Sequence, residues 1–370
     1  MATTREPKNK RNRVLINGIW YWRFTYDGKQ FLGHTRDEAI AKRDAYKNSN
    51  QLSRDKSIGE LIEWWIESIY LKDSSIRDST KTLHANSYYS IFGGCKLLNE
   101  RIDAITGTDL QKVFSAASVG GTTQRHCRSF LRRFYKYALA NGLASVDATQ
   151  TLIVPEAKHK RQSQQIEVFS EEELKRFVEC TPESHRLRLL IILAIRTGCR
   201  IGELLALSYS DLENGTITIN KSLKEIEPIR GKGEKTRVEI QQTKTASSVR
   251  TLPLDDAFVQ KAIAFHKNWH QKEMVRNGFR TDYVFTTETG SLYYISSVRT
   301  AFSRLCDDIG IEHGHFHTFR DTFGTRLAER GVPIEIICKL LGHDSISTTA
   351  KYYVNVSNNS MREAMEKIAL

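Results

Sequence analysis

No apolar run in this chain is long enough to cross a bilayer. The longest strongly apolar stretch, Leu189 to Ile195, falls far short of the roughly 20 residues a spanning helix needs. Nor does Met1-Ala2-Thr3-Thr4-Arg5 lead into the apolar core of a secretory signal. Six cysteines (Cys95, Cys127, Cys180, Cys199, Cys306 and Cys338) form no CxxC pair and show no metal-ligand spacing. Scattered thiols in a long chain predict a reduced, soluble, cytoplasmic protein with no disulfide framework. Internal repeats and low-complexity tracts are also missing. Acidic side chains are the last shortage: 43 Asp and Glu face 55 Lys and Arg in 370 residues, a formal charge of +12. A chain of this length has room for two or three domains, each with its own core.

The acidic deficit is uneven. Residues 1 to 56 hold thirteen basic against six acidic side chains, which reads as a nucleic-acid footprint, with a solvated basic surface as the plain alternative. Asn17-Gly18 and Asp27-Gly28 are two-residue hairpin signals, because type I′ turns need positive φ at both positions. Between them Trp20, Trp22, Phe24 and Tyr26 alternate with Tyr21, Arg23 and Thr25, the period of a strand buried on one face. Thr35-Arg36-Asp37-Glu38 is a capping box that predicts a helix to about Asn48. Residues 1–56 are therefore expected to form a three-stranded sheet with one helix. Its aromatic row packs under the helix, and its other face, with Arg23 and Lys29, is available to a DNA groove.

Residues 57–154 read as all-helical. A capping box at Ser57-Ile58-Gly59-Glu60 precedes an apolar stripe of Ile58, Leu61, Ile62, Trp65, Ile66 and Ile69 at helical spacing. A second helix is expected from Thr122 to Asn141, stopped by Gly142. Arg125, Arg128 and Arg132 share one of its faces, and no acidic residue lies between Thr122 and Asn141 to pair with them, which points to phosphate contact. Residues 155–165, basic and without apolar periodicity, read as a linker. Ser170-Glu171-Glu172-Glu173 then opens a third segment, 166–370, with another capping box.

This third segment carries the chemistry. Arg200 sits in Thr197-Gly198-Cys199-Arg200-Ile201-Gly202-Glu203, His317 and Arg320 in His317-Thr318-Phe319-Arg320, and His343 in Leu341-Gly342-His343; Tyr352 and Tyr353 follow. Gly198 allows a turn that places Arg200 at the head of the helical stretch Ile201 to Leu207, and the spacing of His317 and Arg320 puts both on one side of a helix. Val238 and Ile240 alternate into a loop at Thr243 to Ser248, with a returning strand at Val249 to Leu254, a hairpin with Lys244 at its tip. Two guanidiniums, two imidazoles and a phenol make a poor core but a good phosphodiester site. A guanidinium fork matches two phosphate oxygens, imidazoles donate to others, and a phenol can attack phosphorus. His313 and His315 suggest a metal site at first sight.

These strings resemble the tyrosine recombinases, the site-specific recombinases and phage-type integrases. The resemblance implies a multidomain fold, mainly α with small β-sheets. An N-terminal three-stranded sheet plus helix (1–56) would bind arm-type DNA, a helical core-binding domain (57–154) would clamp the core site, and a mixed α/β catalytic domain with a C-terminal tail helix (166–370) would follow the linker. It assigns Arg200, Lys244, His317, Arg320 and His343 to catalysis, with Glu203 a buried acidic partner that orients the site. Tyr353-Val354-Asn355-Val356 fits the Tyr-x-His-Val pattern of the nucleophile with Asn for His, which selects Tyr353; Tyr352, nine residues after His343, is the competitor. Asp321 departs from the family, which often has His after the second arginine, and is expected to be a structural ion-pair partner.

The implied reaction cuts and rejoins DNA through a 3′-phosphotyrosine, without metal, ATP or other cofactor. His317 accepts the phenol's proton, Lys244 supplies one to the departing 5′ oxygen, and Arg200, Arg320 and His343 hold the nonbridging oxygens. Implied partners are double-stranded DNA at core-type and arm-type sites, three further copies of the chain in a homo-tetramer, an excisionase and a host DNA-bending protein, with no membrane. The tail from Ser360 could pack on its own domain or on a neighbouring protomer. An integrase of a phage or integrative conjugative element is the lead reading. A dimer resolvase, a type IB topoisomerase and a catalytically inactive DNA-binding factor are the alternatives.

Overall fold

The computed structural model describes residues 11–26, 28–44, 56–154, 166–233, 235–243, 248–312 and 314–352. The chain divides into two compact units, one of residues 1–159 with 227–234, the other of 160–226 with 235–370.

In the first unit, β1 (Arg13–Ile16), β2 (Ile19–Tyr26) and β3 (Lys29–Gly33) form an antiparallel sheet in sequence order. Asn17 and Gly18 both take positive φ, 49° and 77°, as the type I′ turn between β1 and β2 demands. Along β2, Trp22, Phe24 and Tyr26 are half-buried while Arg23 and Thr25 are exposed. Helix α1 covers 36–44, with the Thr35 hydroxyl accepting from the Glu38 N–H and the Glu38 carboxylate from the His34 N–H. Arg43 reaches back over the Phe24 ring, 5.4 Å from its centroid, so the aromatic face lies under this helix as its alternation predicts.

The helical part of this unit comprises α2 (Ile58–Trp65), α3 (Asp78–Phe92), α4 (Gly107–Ala116) and α5 (Gly121–Ala140). Ser57 and Glu60 complete the expected capping box on α2. The apolar stripe departs from expectation at one residue. After Trp65 the helix continues as a π-helical turn, Ile66–Tyr70, which widens the spacing; Tyr70 turns inward and Ile69 is left partly exposed. Tyr70 thereby stacks on Trp65 at 4.8 Å between centroids, and Phe130 and Phe134 of α5 meet the Trp65 ring edge-on at 5.4 and 5.5 Å. Truncating any of these rings would cost about 3–5 kcal/mol. Residues 227–234 complete this core with Ile229. Asn86 holds them in place, donating to the Pro228 carbonyl at 2.9 Å and accepting from the Arg230 N–H at 3.0 Å.

The second unit contains α6 (Glu171–Cys180), α7 (Arg188–Thr197), α8 (Ile201–Leu205), β4 (Thr216–Ile219), β5 (Lys221–Ile226), β6 (Arg237–Gln242) and β7 (Arg250–Pro253). It continues with α9 (Ala257–Asn277), α10 (Ile295–Asp308), α11 (Thr318–Glu329), α12 (Ile334–Leu341) and α13 (Ile346–Ala350). Leu189 to Ala194 are buried without a break, so α7 is apolar on every side and runs through the core. Around it Phe169, Phe177, Phe302, Phe316 and Phe319 pack ring against ring and fix where α11 lies.

The strand pairing corrects the expected hairpin. β6 pairs with β5 and β7 with β4, not with each other. β4 and β5 are consecutive stretches of one extended segment interrupted at Asn220. Opposite that single residue, the partner segment spends residues 243–249 between Gln242 and Arg250. The strands on either side of Lys244 are thus not the two arms of one hairpin. Alternation along Val238 and Ile240 identifies the strand but carries no information about which neighbour it pairs with.

Candidate active site

Arg200 is placed by two local rules. Gly198, at φ 59°, ends α7 in the left-handed conformation and donates its N–H to Ala194 O. The chain then re-enters α8 with Arg200 as the extended residue at its head. Arg200 donates its backbone N–H to Glu203 Oε2 at 2.9 Å and Nη1 to Oε1 at 2.7 Å, while its side chain stays 39% exposed. Glu203 itself is 3% exposed and also accepts from Arg250 Nη2 at 2.8 Å. Burial works to raise the Glu203 carboxyl, but Arg250 and Arg200 outweigh it and hold the group down at about 2.

His317 occupies the N-cap position of α11 without a capping side-chain bond, and Arg320 lies one turn further on. The Arg320 side chain is almost fully buried and donates Nη1 to Gly198 O at 2.9 Å and Nη2 to Leu341 O at 2.6 Å. Those carbonyls precede Arg200 and His343 by two residues each, so one guanidinium braces three strings that lie far apart in sequence. Burial, and then the charge of Arg200, pulls Arg320 down to about 10, which leaves it cationic at neutral pH.

Gly342, at φ 63°, ends α12 and turns His343 inward. The His343 N–H donates to Cys338 O, and Nδ1 lies 2.8 Å from Thr349 Oγ1. Burial, followed by Arg320 and Arg200, pushes this imidazole down to about 4, so it is neutral at pH 7. His317 is also lowered, chiefly by burial, against the opposing pull of Asp321. A neutral His317 is able to take a proton.

Tyr352 is buried beside these groups. Its ring lies nearly parallel to His343 at 6.4 Å, and its hydroxyl donates to Asp321 Oδ1 at 3.0 Å. Gly324 of α11 makes room for it, because a Cβ there would sit 2.7 Å from the Tyr352 ring. Lys351 donates to the same Asp321 oxygen at 2.7 Å, and His317 Nε2 lies 3.9 Å from Asp321 Oδ2. The expectation that Asp321 is an ion-pair partner matches this geometry. Burial, and then Asp321, pushes the Tyr352 phenol upward, so in this arrangement it is protonated.

Arg200, His317, Arg320 and His343 are therefore brought close enough to act on one another electrostatically, with Tyr352 beside them. A cavity of about 470 Å³ opens against Arg200 and His317, with Lys224, Arg299 and His315 on its wall. Lys244 and Tyr353 lie outside the described residues, as do His313, the linker 155–165 and the tail from Ser360. His315 turns its Nδ1 to Thr318 Oγ1 at 2.8 Å. Among the described residues, no group of three or more His, Cys, Asp or Glu could hold a metal, and no helix is long and apolar enough to cross a membrane. The residues expected to contact DNA lie in the first unit: Arg23 and Lys29 are exposed on the sheet, and Arg125, Arg128 and Arg132 run along α5 with Arg132 the most open.

The sequence reading gave no role to Arg250. Its signal was present, because Arg250, Leu252 and Leu254 alternate on the buried side of a strand, and an arginine at an apolar-face position requires buried partners.

The sequence pattern of the phage integrase family matches residues 167–360, more than half of the chain. A "Tyrosine recombinase XerC-like" protein of Caldanaerobacter subterraneus subsp. tengcongensis is 29% identical over 97% of this chain and 98% of its own length. The "Integrase" of Staphylococcus phage L54a is 26% identical over 90% and 98% respectively. Among solved structures, the Tn1549 transposon integrase in complex with a circular intermediate DNA superposes with a TM-score of 0.61 at 19% identity, covering 85% of this chain and all of that one. A lambda integrase dimer bound to a core site gives 0.55 at 17% identity, over 94% and 96%, so the fold is shared where the sequences have diverged. The chain belongs to the phage integrase family, the tyrosine recombinases.

Proposed function

We propose that the protein is an integrase that cuts and rejoins double-stranded DNA at defined sites through a 3′-phosphotyrosine, moving a phage or conjugative element into and out of a chromosome. The observation that supports this reading is the brace of Arg320 on Gly198 O and Leu341 O, which ties the Arg200 and His343 strings to the helix that follows His317. Such a site suits the transition state of phosphoryl transfer. Arg200 and Arg320 are cationic, and in the tautomer whose Nδ1 accepts from Thr349, neutral His343 presents an Nε2–H, so donors meet the nonbridging oxygens as charge builds there. As the phenol oxygen bonds to phosphorus, its proton passes to His317. The bond to the 5′ oxygen breaks, and Lys244 protonates that leaving group. Bond energy is kept in the phosphotyrosine, and attack by the 5′ hydroxyl of another strand reverses the steps.

The pattern Tyr-Val-Asn-Val points to Tyr353 as the nucleophile. A specific observation favours Tyr352 instead, and we adopt it: this ring stacks on His343, its hydroxyl faces Asp321 next to His317, and Arg320 and Arg200 act on it electrostatically. In the DNA-free protein burial, and then Asp321, keep that phenol protonated, and attack requires it to leave the carboxylate for the scissile phosphate. A nicked duplex that loses the strand beyond the cleavage point should trap a covalent adduct on the wild type and on Tyr353→Phe, and none on Tyr352→Phe. The reverse pattern returns the role to Tyr353.

We assign 1–56 to arm-type DNA, 57–154 to the core site, 155–165 to a linker and 166–370 to catalysis in a homo-tetramer. A dimer resolvase of the same family is the competing reading. Removal of residues 1–56 should abolish integration yet spare cleavage of a short core site; complete recombination between two short core sites without residues 1–56 favours the resolvase.

A further inference from the structure

Arg250 is buried in a setting that a bystander arginine would not keep. Its Nε donates to Leu340 O at 2.8 Å, Nη1 to Ser248 O at 3.2 Å, and Nη2 to Glu203 Oε2 at 2.8 Å, with Cys199 Sγ 3.4 Å away. Gly342 gives it space, because a Cβ there would lie 2.8 Å from Arg250 Nη1. The side chain is only 6% exposed, and its Nε, Nη1 and Nη2 are all engaged within the protein. It touches three strings of the site: the Arg200 string through Glu203, the His343 string through Leu340, and the end of the loop that carries Lys244 through Ser248.

The charge arithmetic gives this arrangement a purpose. Glu203 faces Arg200 at 2.7 Å, and a carboxylate with no other partner would cancel the positive charge that Arg200 must offer a phosphate. Arg250 supplies a second cation to the same carboxylate, so the trio keeps a net charge of +1 directed at the site. Lysine cannot replace it, because a single ammonium does not span the planar fork of partners formed by Leu340 O, Ser248 O and Glu203. We propose that Arg250 is a positioning residue for strand cleavage: by taking up Glu203 it holds Arg200 in place and leaves its charge free for the scissile phosphate.

This inference rests on the recombinase reading, and the test separates the two. The substrate is a nicked duplex whose core sequence has been selected from a random library by covalent capture on the wild-type protein. A second copy carries a methylphosphonate at the scissile position, which removes the charge on one nonbridging oxygen. Arg250→Lys should cleave the phosphodiester roughly 10²-fold more slowly than wild type. DNA affinity should change by no more than about twofold, since its donors are turned into the protein. On the methylphosphonate, where less charge has to be held, the defect should shrink to about threefold or less, and Arg200→Ala should be rescued in parallel. Glu203→Gln, which keeps the shape and removes the carboxylate charge that Arg250 offsets, should mask the Arg250→Lys defect in the double variant rather than multiply it. An equal defect on both substrates, additive effects, a defect that follows loss of melting temperature, or wild-type cleavage by Arg250→Lys each overturns the proposal. Failure of the wild type to capture any DNA instead overturns the recombinase reading.

Discussion

Two buried polar clusters of the second unit differ in how they end. On α9, His270 has both ring nitrogens satisfied, Nδ1 by the Tyr209 hydroxyl and Nε2 by Thr286 Oγ1, each at 2.9 Å; its neighbour His266 bonds Val284 O at 3.0 Å. That cluster closes on itself and joins α9 to the segments beside it. In the candidate active site the bonds are one-sided. His343 is held through Nδ1, Arg320 uses two of its donors on main-chain carbonyls, and Arg200 keeps a side chain 39% exposed after pairing with Glu203. A structural polar cluster satisfies every group within the protein. A reactive one fixes each group from behind and leaves its front donors for something that arrives.

Substitutions should separate the two clusters sharply. Arg200→Ala should lower the single-turnover cleavage rate by about 10²–10³ while the melting temperature stays near that of wild type. His270→Ala should do the opposite, costing about 2–3 kcal/mol in chemical denaturation through the partners it strands, with the cleavage rate per folded molecule unchanged. If both variants lose rate and stability together, the distinction between the clusters fails.

Acid offers a second way to break the comparison. His343 and His266 are held near 4 by burial first, as is His84 in the first unit, against an ordinary value of 6.5. Between pH 6.5 and 4 the unfolded chain therefore binds protons that the folded chain refuses, so stability falls as pH drops through that window, by several kcal/mol in total. Glu203, held at about 2, keeps its contribution until pH falls below about 4.5 and loses it towards 2. Denaturant midpoints measured from pH 7 to 4 would show the fall, and a flat profile contradicts the assigned burial. His343→Asn should remove its share of that slope along with cleavage, whereas His266→Asn should remove slope alone.

A smaller effect is expected on the first unit. Replacing Arg125, Arg128 and Arg132 together with glutamine should flatten the dependence of log affinity on log salt by about 2–3, close to one per phosphate released. It should leave cleavage at saturating DNA intact. An unchanged salt slope removes α5 from the DNA interface.

Much of the fold was legible wherever a local rule decides. The capping boxes at Ser57 and Ser170, the Asn17-Gly18 turn and the left-handed ends at Gly142 and Gly198 are set by a few neighbouring residues. Arg200, His317, Arg320 and His343 were legible through their strings, which local spacing and family resemblance single out. What stayed hidden depends on distant contacts. The π-helical turn that trades Ile69 for Tyr70 answers to the Trp65 and Phe130 rings, not to the sequence of α2. The pairing of β6 and β7 with different partners is set across the sheet. The seat of Ile229 in the first unit belongs to a segment more than 70 residues further along the chain than α5. The site's sharpest surprise is that Arg320 is buried as a brace, and that follows from two carbonyls whose positions no local pattern records.

The central claim is that one site directs a phenol at a phosphorus atom. Peptide mapping of the trapped protein–DNA adduct reads it most directly. Cleavage after Lys351 frees a peptide that begins at Tyr352, and fragmentation locates the nucleotide on it. The account predicts a phosphodiester on the Tyr352 oxygen linked to a DNA 3′ end. A 5′ linkage, an adduct on a residue outside 352–353, or no adduct on DNA that the protein binds tightly would contradict it.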